Sequence, residues 1–326
     1  MNQQLHFSIA AGLAAALSIA DPLGAAQTTP WPNKPIRVTV ASGAGGGLDF
    51  VARQVAVPMS EALGQSVVVD NRAGASGSIA AELAAQAAPD GYTLMILSAS
   101  LVVYGVVNKT RYDLYRDFDA VSQIAASPYI LTVHPALPVA SVKDLIAYAK
   151  ANPSKLNFAS TGPASLAHLA GELLAMRTGT QLVHVPYKGV GAALTDMLSG
   201  RIHLSLFSGG SVYAQVRGQK LKALAIASTT RAKMAPELPT MIEAGVPGFV
   251  VTQWHGLMAP RGTPRAVIDR LHAEIAKAVA RPEVASRLAL DGTEGVASSP
   301  KEFSTFLRSE RDQWAKVAKA ANIQNN

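Results

Sequence analysis

The 326-residue chain contains no cysteine. Disulfide staples, thiolate catalysis and Cys-ligated zinc are therefore excluded, and a lipid anchor attached through cysteine has no attachment point. It also lacks a long apolar run. Phe7 to Ala20 is nearly all apolar or small but falls short of the roughly 20 residues that span a bilayer, and no other segment comes closer. Followed by small residues at Gly24 and Ala26, that run reads as an export signal over residues 1–26, cleaved before Gln27, with Ser18 and Ala20 offering a second cleavage position. The expected product is a freely diffusing periplasmic protein. Cleavage would remove Asp21 and no Lys or Arg, moving the net charge from +7 to +8 and favouring anionic ligands. The basic residues are scattered without interleaved aromatics, which argues against nucleic acid.

Several catalytic and nucleotide signatures are missing as well. No Lys follows the glycines of the Gly43–Gly47 loop, so it is not a Walker loop. A dinucleotide fingerprint would need glycine where Leu48 or Phe50 stands. There is no HExxH, no GxSxG, and His272-Ala273-Glu274 has no PCxxC to complete a deaminase signature. His168 and Glu172 lie one helical turn apart without a third metal ligand at a telling spacing. We therefore expect no metal, no cofactor and no catalytic residue. An exported serine hydrolase built on a sequence-distant Ser-His-Asp triad stays open as an alternative, because such triads are defined by geometry.

What is present is organised around Ile36 to Ala56. Ile36, Val38 and Val40 alternate with Arg37 and Thr39 as in a strand, while Val51, Val55, Met59 and Ala62 recur at helical spacing. Between them, the glycines at 43, 45, 46 and 47 leave main-chain N–H groups and a helix N-terminus free to face an anion. A carboxylate suits this cradle. SVVVDNR, a second small-residue loop at Ala73 to Gly77, a helix, and the apolar strand YTLMIL continue a doubly wound α/β beginning. Ligands in such sheets sit beyond the strands' carboxyl ends, here Gly43–Leu48, Ala73–Gly77 and Ser98–Ser100. Asn71 and Arg72 read as structural, Arg72 pairing with Asp70 or a loop carbonyl. Gly105 to Asp119 reads as a long irregular connection, and Pro58 is expected to kink the first helix.

A second series repeats the plan. LNFAS feeds a loop carrying Ser160, Thr161, Gly162 and Ser165 into a helix. Ser165 serves there as an N-cap, as a ligand contact, or as both; His168 either reaches the ligand or fills a half-buried surface. LVHVP runs into the turn at Tyr187, and Leu194, Met197 and Leu198 are expected on the apolar side of the next helix. IHLSLF opens into Ser208, Gly209 and Gly210. Extended segments near Pro128–His134 and Val250–Gly256 bracket this series as the links between two halves. The helical tail, capped at Ser299 with Pro300 at N1, is assigned to the first half. The expected organisation is an α/β protein with domain 1 at 27–131 and 252–326, and domain 2 at 132–251.

With WPNKPIRVTV, the GGG-x-D loop, LGQSVVVDNRAGASGSIAAE, APDGYTL, DLIAYAKANPSKLNFASTG, HVPYKGVGAALTDMLSG, EAGVPGF and WHGLMAPRGTP in this order, the chain resembles the TctC-like solute-binding receptors of tripartite tricarboxylate transporters, the Bug proteins. The resemblance implies a two-domain type II periplasmic-binding-protein fold that closes like a flytrap. It also implies a small organic carboxylate as ligand, aliphatic or aromatic, and a membrane permease as partner. Ala44, Gly45, Gly46, Gly47 and the helix start at Asp49 would face Ser160, Thr161, Gly162 and Ser165, with Ser98, Ser100, His168, Tyr187, Ser208 and Gly209 completing the candidate contacts. Asp49 would act as a cap or brace, since two carboxylates repel. Leu48, Ala73 and Ser42 depart from the family pattern and bear on the substrate more than on the fold. A monomer is expected, and a receptor that presents its ligand to a membrane kinase would share the same site.

Overall fold

The computed structural model describes residues 31–290 and 292–323; the expected export signal lies outside them. All the elements below belong to one compact unit that starts at Pro32. Strand β1 (Ile36–Val40) leads into helix α1 (Gly47–Leu63), β2 (Val67–Asn71), α2 (Ser78–Ala85), β3 (Thr93–Ser98) and α3 (Ala99–Val107). The long β4 (Phe118–Val133) follows, then α4 (Val142–Ala151), β5 (Leu156–Ser160), α5 (Leu166–Thr178), β6 (Leu182–Pro186), α6 (Val190–Leu198), β7 (Leu204–Ser208), α7 (Gly209–Arg217) and β8 (Lys222–Ile226). The chain closes with β9 (Thr252–Pro260), α8 (Arg265–Ala280), α9 (Pro282–Leu290), the short β10 (Glu294–Gly295) and α10 (Pro300–Ala320).

Local chemistry sets these boundaries. Ile36, Val38 and Val40 are buried while Arg37 is exposed, and Thr39 satisfies its buried hydroxyl on the Leu94 carbonyl at 2.9 Å. Helix α1 continues through Pro58 to Gly64, whose left-handed φ of 66° ends it with an N–H bond to the Ser60 carbonyl. Helix α10 opens with a complete capping box between Ser299 and Glu302, with Pro300 in its first turn. Two sequence expectations need correction. Helix α3 runs to Val107, so the irregular connection is confined to residues 108–117; Leu101, Val102, Val103 and Val107 are buried, and that burial extends the helix. On α6, Met197 is buried but Leu198 is 38% exposed, because Val190, Ala193, Leu194 and Met197 form its packed face.

The sheet divides at Pro128. Up to that residue β4 pairs with β9, ending at Pro128 against Thr252; from Tyr129 onward it pairs with β7 and β8. The first half has the order β2-β1-β3-β9-β4, the second β6-β5-β7-β4-β8. In each, three parallel strands are followed by a fourth that runs against them and a fifth antiparallel to the fourth, so β1 corresponds to β5 and β3 to β7. The halves exchange strands at the crossing: Tyr129 bonds to Val251 and Ala227, and Val251 bonds to Ala227. Helices α1, α8 and α9 pack together beside the first half. Helix α10 lies over β4 and α3 and also reaches α5. It is fixed by Glu310, whose Oε2 accepts from the indole N–H of both Trp254 (2.7 Å) and Trp314 (3.2 Å). Burial raises the Glu310 carboxyl, and the two indoles oppose that shift.

Candidate functional site

Beyond the end of β1 the chain turns through Ala41 to Gly46, with Gly45 at a φ of 80°. Asp49, in the first turn of α1 and only 3% exposed, folds back so that its Oδ2 accepts from the Gly45 N–H at 2.8 Å. Its Oδ1 accepts from Arg53 Nε at 3.0 Å and from Asn71 Nδ2, at the end of β2, at 2.9 Å. Asn71 also donates to the Ser42 carbonyl at 3.3 Å. Burial pushes the Asp49 carboxyl upward, but the bonds from Arg53, Gly45 and Asn71 prevail and hold it below the usual carboxylate range. Asp49 is thus a brace. It ties the loop to the first turn of α1, while the N–H groups of Gly46, Gly47 and Leu48 have no acceptor among the described residues. No side chain caps α1, so these donors and the helix dipole are available to an anion.

The adjoining loop is pressed against this one. A Cβ on Gly77, whose φ is 100°, would stand 2.6 Å from Ala41 Cβ, so only glycine permits that approach. Arg72 pairs with Asp70 at 3.0 Å at the root of the same loop. Ser98 ends β3 and Ser100 lies in the first turn of α3.

At the end of β5, Ser160 is fully buried. Its hydroxyl donates to the Gly162 carbonyl at 3.0 Å, accepts from the Gly162 N–H at 3.1 Å, and meets His184 Nε2 at 2.6 Å. Thr161 is exposed beside it, and Gly162 (φ 127°) and Ala164 (φ 55°) carry the loop into Ser165, whose Oγ caps α5 by accepting from the His168 N–H at 3.2 Å. The His168 ring turns inward: its Nδ1 accepts from the Ala164 N–H at 3.1 Å, and it stacks on His184 with centroids 3.6 Å apart. Phe158 backs both rings. Burial first, and then neighbouring His168, pull the His184 pKa down to about 4. Both histidines thus support the loop from below. Tyr187 donates its N–H to the Ser160 carbonyl at 3.1 Å and its hydroxyl to Asp196 Oδ2 at 2.8 Å; burial and then Asp196 raise that phenol to about 12.

The candidate residues therefore form four groups, one of them Ser98 and Ser100 at the end of β3. Ala44 to Gly47 with Asp49 lie at the end of β1, and Ser160 to Ser165 with His168 and Tyr187 at the end of the equivalent β5. Ser208 and Gly209 lie at the end of β7, where Ser208 pairs with Tyr129 beside the strand crossing. Gly209 is packed under Met234, whose Sδ would be 2.8 Å from a Cβ there. Helix α3, with Ser98 at its N-cap and Ser100 in its first turn, packs against α5, which begins after Ser165. Sequence reasoning missed Arg53, although Asp49 and Arg53 stand at the i,i+4 spacing of a helical ion pair. It also missed His184, whose partnership with Ser160 across two strands leaves no spacing signal. Among the described residues no helix is long and apolar enough to cross a membrane, and no cluster of His, Asp and Glu is placed to hold a metal.

Comparison with known proteins agrees with this architecture. Residues 51–323 match the model of the tripartite tricarboxylate transporter family receptor, TctC. Rpa4515 of R. palustris, solved with adipate, is 35% identical and superposes with a TM-score of 0.76, covering 90% of this chain and 99% of that one. The periplasmic binding protein BugD is 32% identical with a TM-score of 0.73, over 91% and 100%. MatC (Rpa3494) of Rhodopseudomonas palustris, solved with bound malate, is 30% identical with a TM-score of 0.73, over 88% and 99%. The chain belongs to the tripartite tricarboxylate transporter receptor family, the TctC and Bug periplasmic solute-binding proteins.

Proposed function

We propose that the protein captures a small organic dicarboxylate between the loops that follow β1 and β5 and delivers it to the membrane permease of a tripartite tricarboxylate transporter. The observation that carries this reading is the braced β1 loop, whose N–H groups at Gly46, Gly47 and Leu48 have no acceptor among the described residues. Its counterpart after β5 offers Thr161, Gly162 and the capping Ser165. The adipate and malate named for two relatives supply the ligand class.

In this account residues 32–128 with 252–290 and 292–323 form one lobe and residues 129–251 the other, joined through β4 and through the segment that enters β9. Each lobe offers donors to one end of the ligand, so the closed form gains contacts that the open form lacks; that difference in affinity drives closure. Charge-assisted hydrogen bonds are worth about 1.5 to 3 kcal/mol each. Three or four of them, less the ordering cost, give about −8 kcal/mol, a micromolar constant. Leu48, 6% exposed at the start of α1, adds no hydroxyl to the cradle.

No chemistry beyond binding is assigned. The side chains of Ser160 and His184 meet at hydrogen-bond distance, but Ser160 is fully buried with its hydroxyl already committed to Gly162. Backbone amide NMR tests the site: adipate or malate should shift Gly46, Gly47, Thr161 and Gly162 together. Shifts confined to other residues would remove these loops from the site.

A further inference from the structure

We propose that the first half carries a second anion site, which takes an elongated dianion with an apolar middle, of the α,ω-dicarboxylate type. A cavity of about 290 Å³ opens between α10, the turn from β9 into α8, and the connection before β4. Phe118, Met258, Ile268 and Leu307 line it, and Arg261, Arg265, Lys301 and Arg308 stand around it. It is not the proposed cleft. In the antiparallel pair of β3 and β9, Ser98 lies opposite His255 and Met95 opposite Met258. Met258 to Pro260 therefore sit toward the edge where the parallel strands begin, whereas the β1 loop sits where they end.

The charges indicate the occupant. Arg261 is paired with Asp119 at 2.9 Å and Arg265 with Asp269 at 2.9 Å. Asp117 is taken by Arg116, and Glu302 is turned into the capping box with Ser299. Lys301 and Arg308 have no carboxylate partner among the described residues, so two positive charges remain at the cavity. They stand seven residues apart on α10, two turns and about 10 Å along its axis, with Ser304 between them on the same face. One compact carboxylate cannot meet both. Two carboxylates joined by an apolar chain can, with the chain over the half-buried Tyr115 and Ala120 of the cavity wall; a diacid of about eight carbons has that reach.

The inference does not rest on the cleft, and the test separates the two. Protein labelled with ¹³C-methyl methionine reports on the cavity through Met258, whose resonance is assigned with Met258→Leu. Titration with suberate should shift it saturably in the wild type and equally in Gly46→Val, which disables only the cleft. The double variant Lys301→Ala/Arg308→Ala, altered at two exposed positions, should abolish the shift or weaken binding at least tenfold. Octanoate, with one carboxylate, should bind at least fivefold more weakly than suberate, and 0.5 M salt should weaken suberate similarly by screening. The proposal is overturned by a Met258 signal that suberate leaves unmoved, that moves equally in the double variant, that responds to octanoate as well as to suberate, or that stops responding in Gly46→Val.

Discussion

Asp49 Oδ2 and the Gly45 N–H lie 2.8 Å apart, and this bond folds the first turn of α1 back onto the glycine loop that precedes it. A carboxylate near a proposed anion site would ordinarily repel the ligand. Here its charge is answered by Arg53 at 3.0 Å, and its oxygens are occupied by donors within the protein.

Asp49→Asn is accordingly expected to lower stability by about 1 to 2 kcal/mol at pH 7, since charge-assisted bonds are lost but Arg53 is half exposed. The folded carboxyl titrates below its unfolded value, so its contribution is present above pH 4 and fades as the pH falls through the folded value. Chemical denaturation of the two proteins should therefore differ at pH 7 and converge in strong acid. A gap that persists unchanged at low pH would mean that the brace is not electrostatic.

Gly46→Val separates binding from folding. A Cβ at position 46 meets only the Gly43 carbonyl oxygen at 3.5 Å and Ser42 Oγ at 3.8 Å, ordinary contacts, and the extended backbone there suits a branched residue. The variant should melt within a few degrees of the wild type yet lose dicarboxylate affinity at least a hundredfold, because its methyls stand over the free N–H groups. Calorimetric titration decides it.

Acid should destabilise the fold by a second route. His184 and the fully buried His255 are both drawn down to about 4 by burial, His184 also by His168. Each is neutral when folded and protonated when unfolded between that value and 6.5, so the unfolded state binds more protons and stability falls as the pH drops from 6.5 toward 4. His184→Asn should flatten part of this slope. An identical slope would assign the whole effect to His255 and the carboxylates.

The core makes a harder prediction. A Cβ on Gly256 would lie 2.1 Å from the Phe303 ring, and one on Gly171 2.1 Å from the Phe158 ring. Either glycine-to-alanine change should cost about 1 to 3 kcal/mol or more by overpacking. Gly171→Ala should also weaken ligand binding, because Phe158 backs the histidine pair beneath the β5 loop.

Strands and helices were legible wherever periodicity met punctuation. Ile36, Val38 and Val40 before a glycine run, or Ser299-Pro300 before an amphipathic run, leave little room for another reading. The end of α3 was less legible, because Gly105 and the tyrosines resemble loop composition while burial of Val102, Val103 and Val107 keeps the chain helical. At the site, the glycines and Ser165 could be read from sequence because main-chain donors need small residues and caps need hydroxyls. The stack of His168 on His184 could not, since it is created by the parallel pairing of β5 with β6. Nor could the cavity beside α10, whose walls come from segments about 190 residues apart.

The central claim is capture of a dicarboxylate by the braced β1 loop and its β5 counterpart. The most direct measurement is a thermal-shift titration of residues 27–326, purified ligand-free, with adipate, malate, tricarboxylates and aromatic acids. A dicarboxylate at about 100 times its dissociation constant should add about 2.7 kcal/mol of stability, visible as a rise in Tm that Gly46→Val abolishes. A folded protein whose Tm is unmoved by every acid, or moved equally in Gly46→Val, would contradict the account.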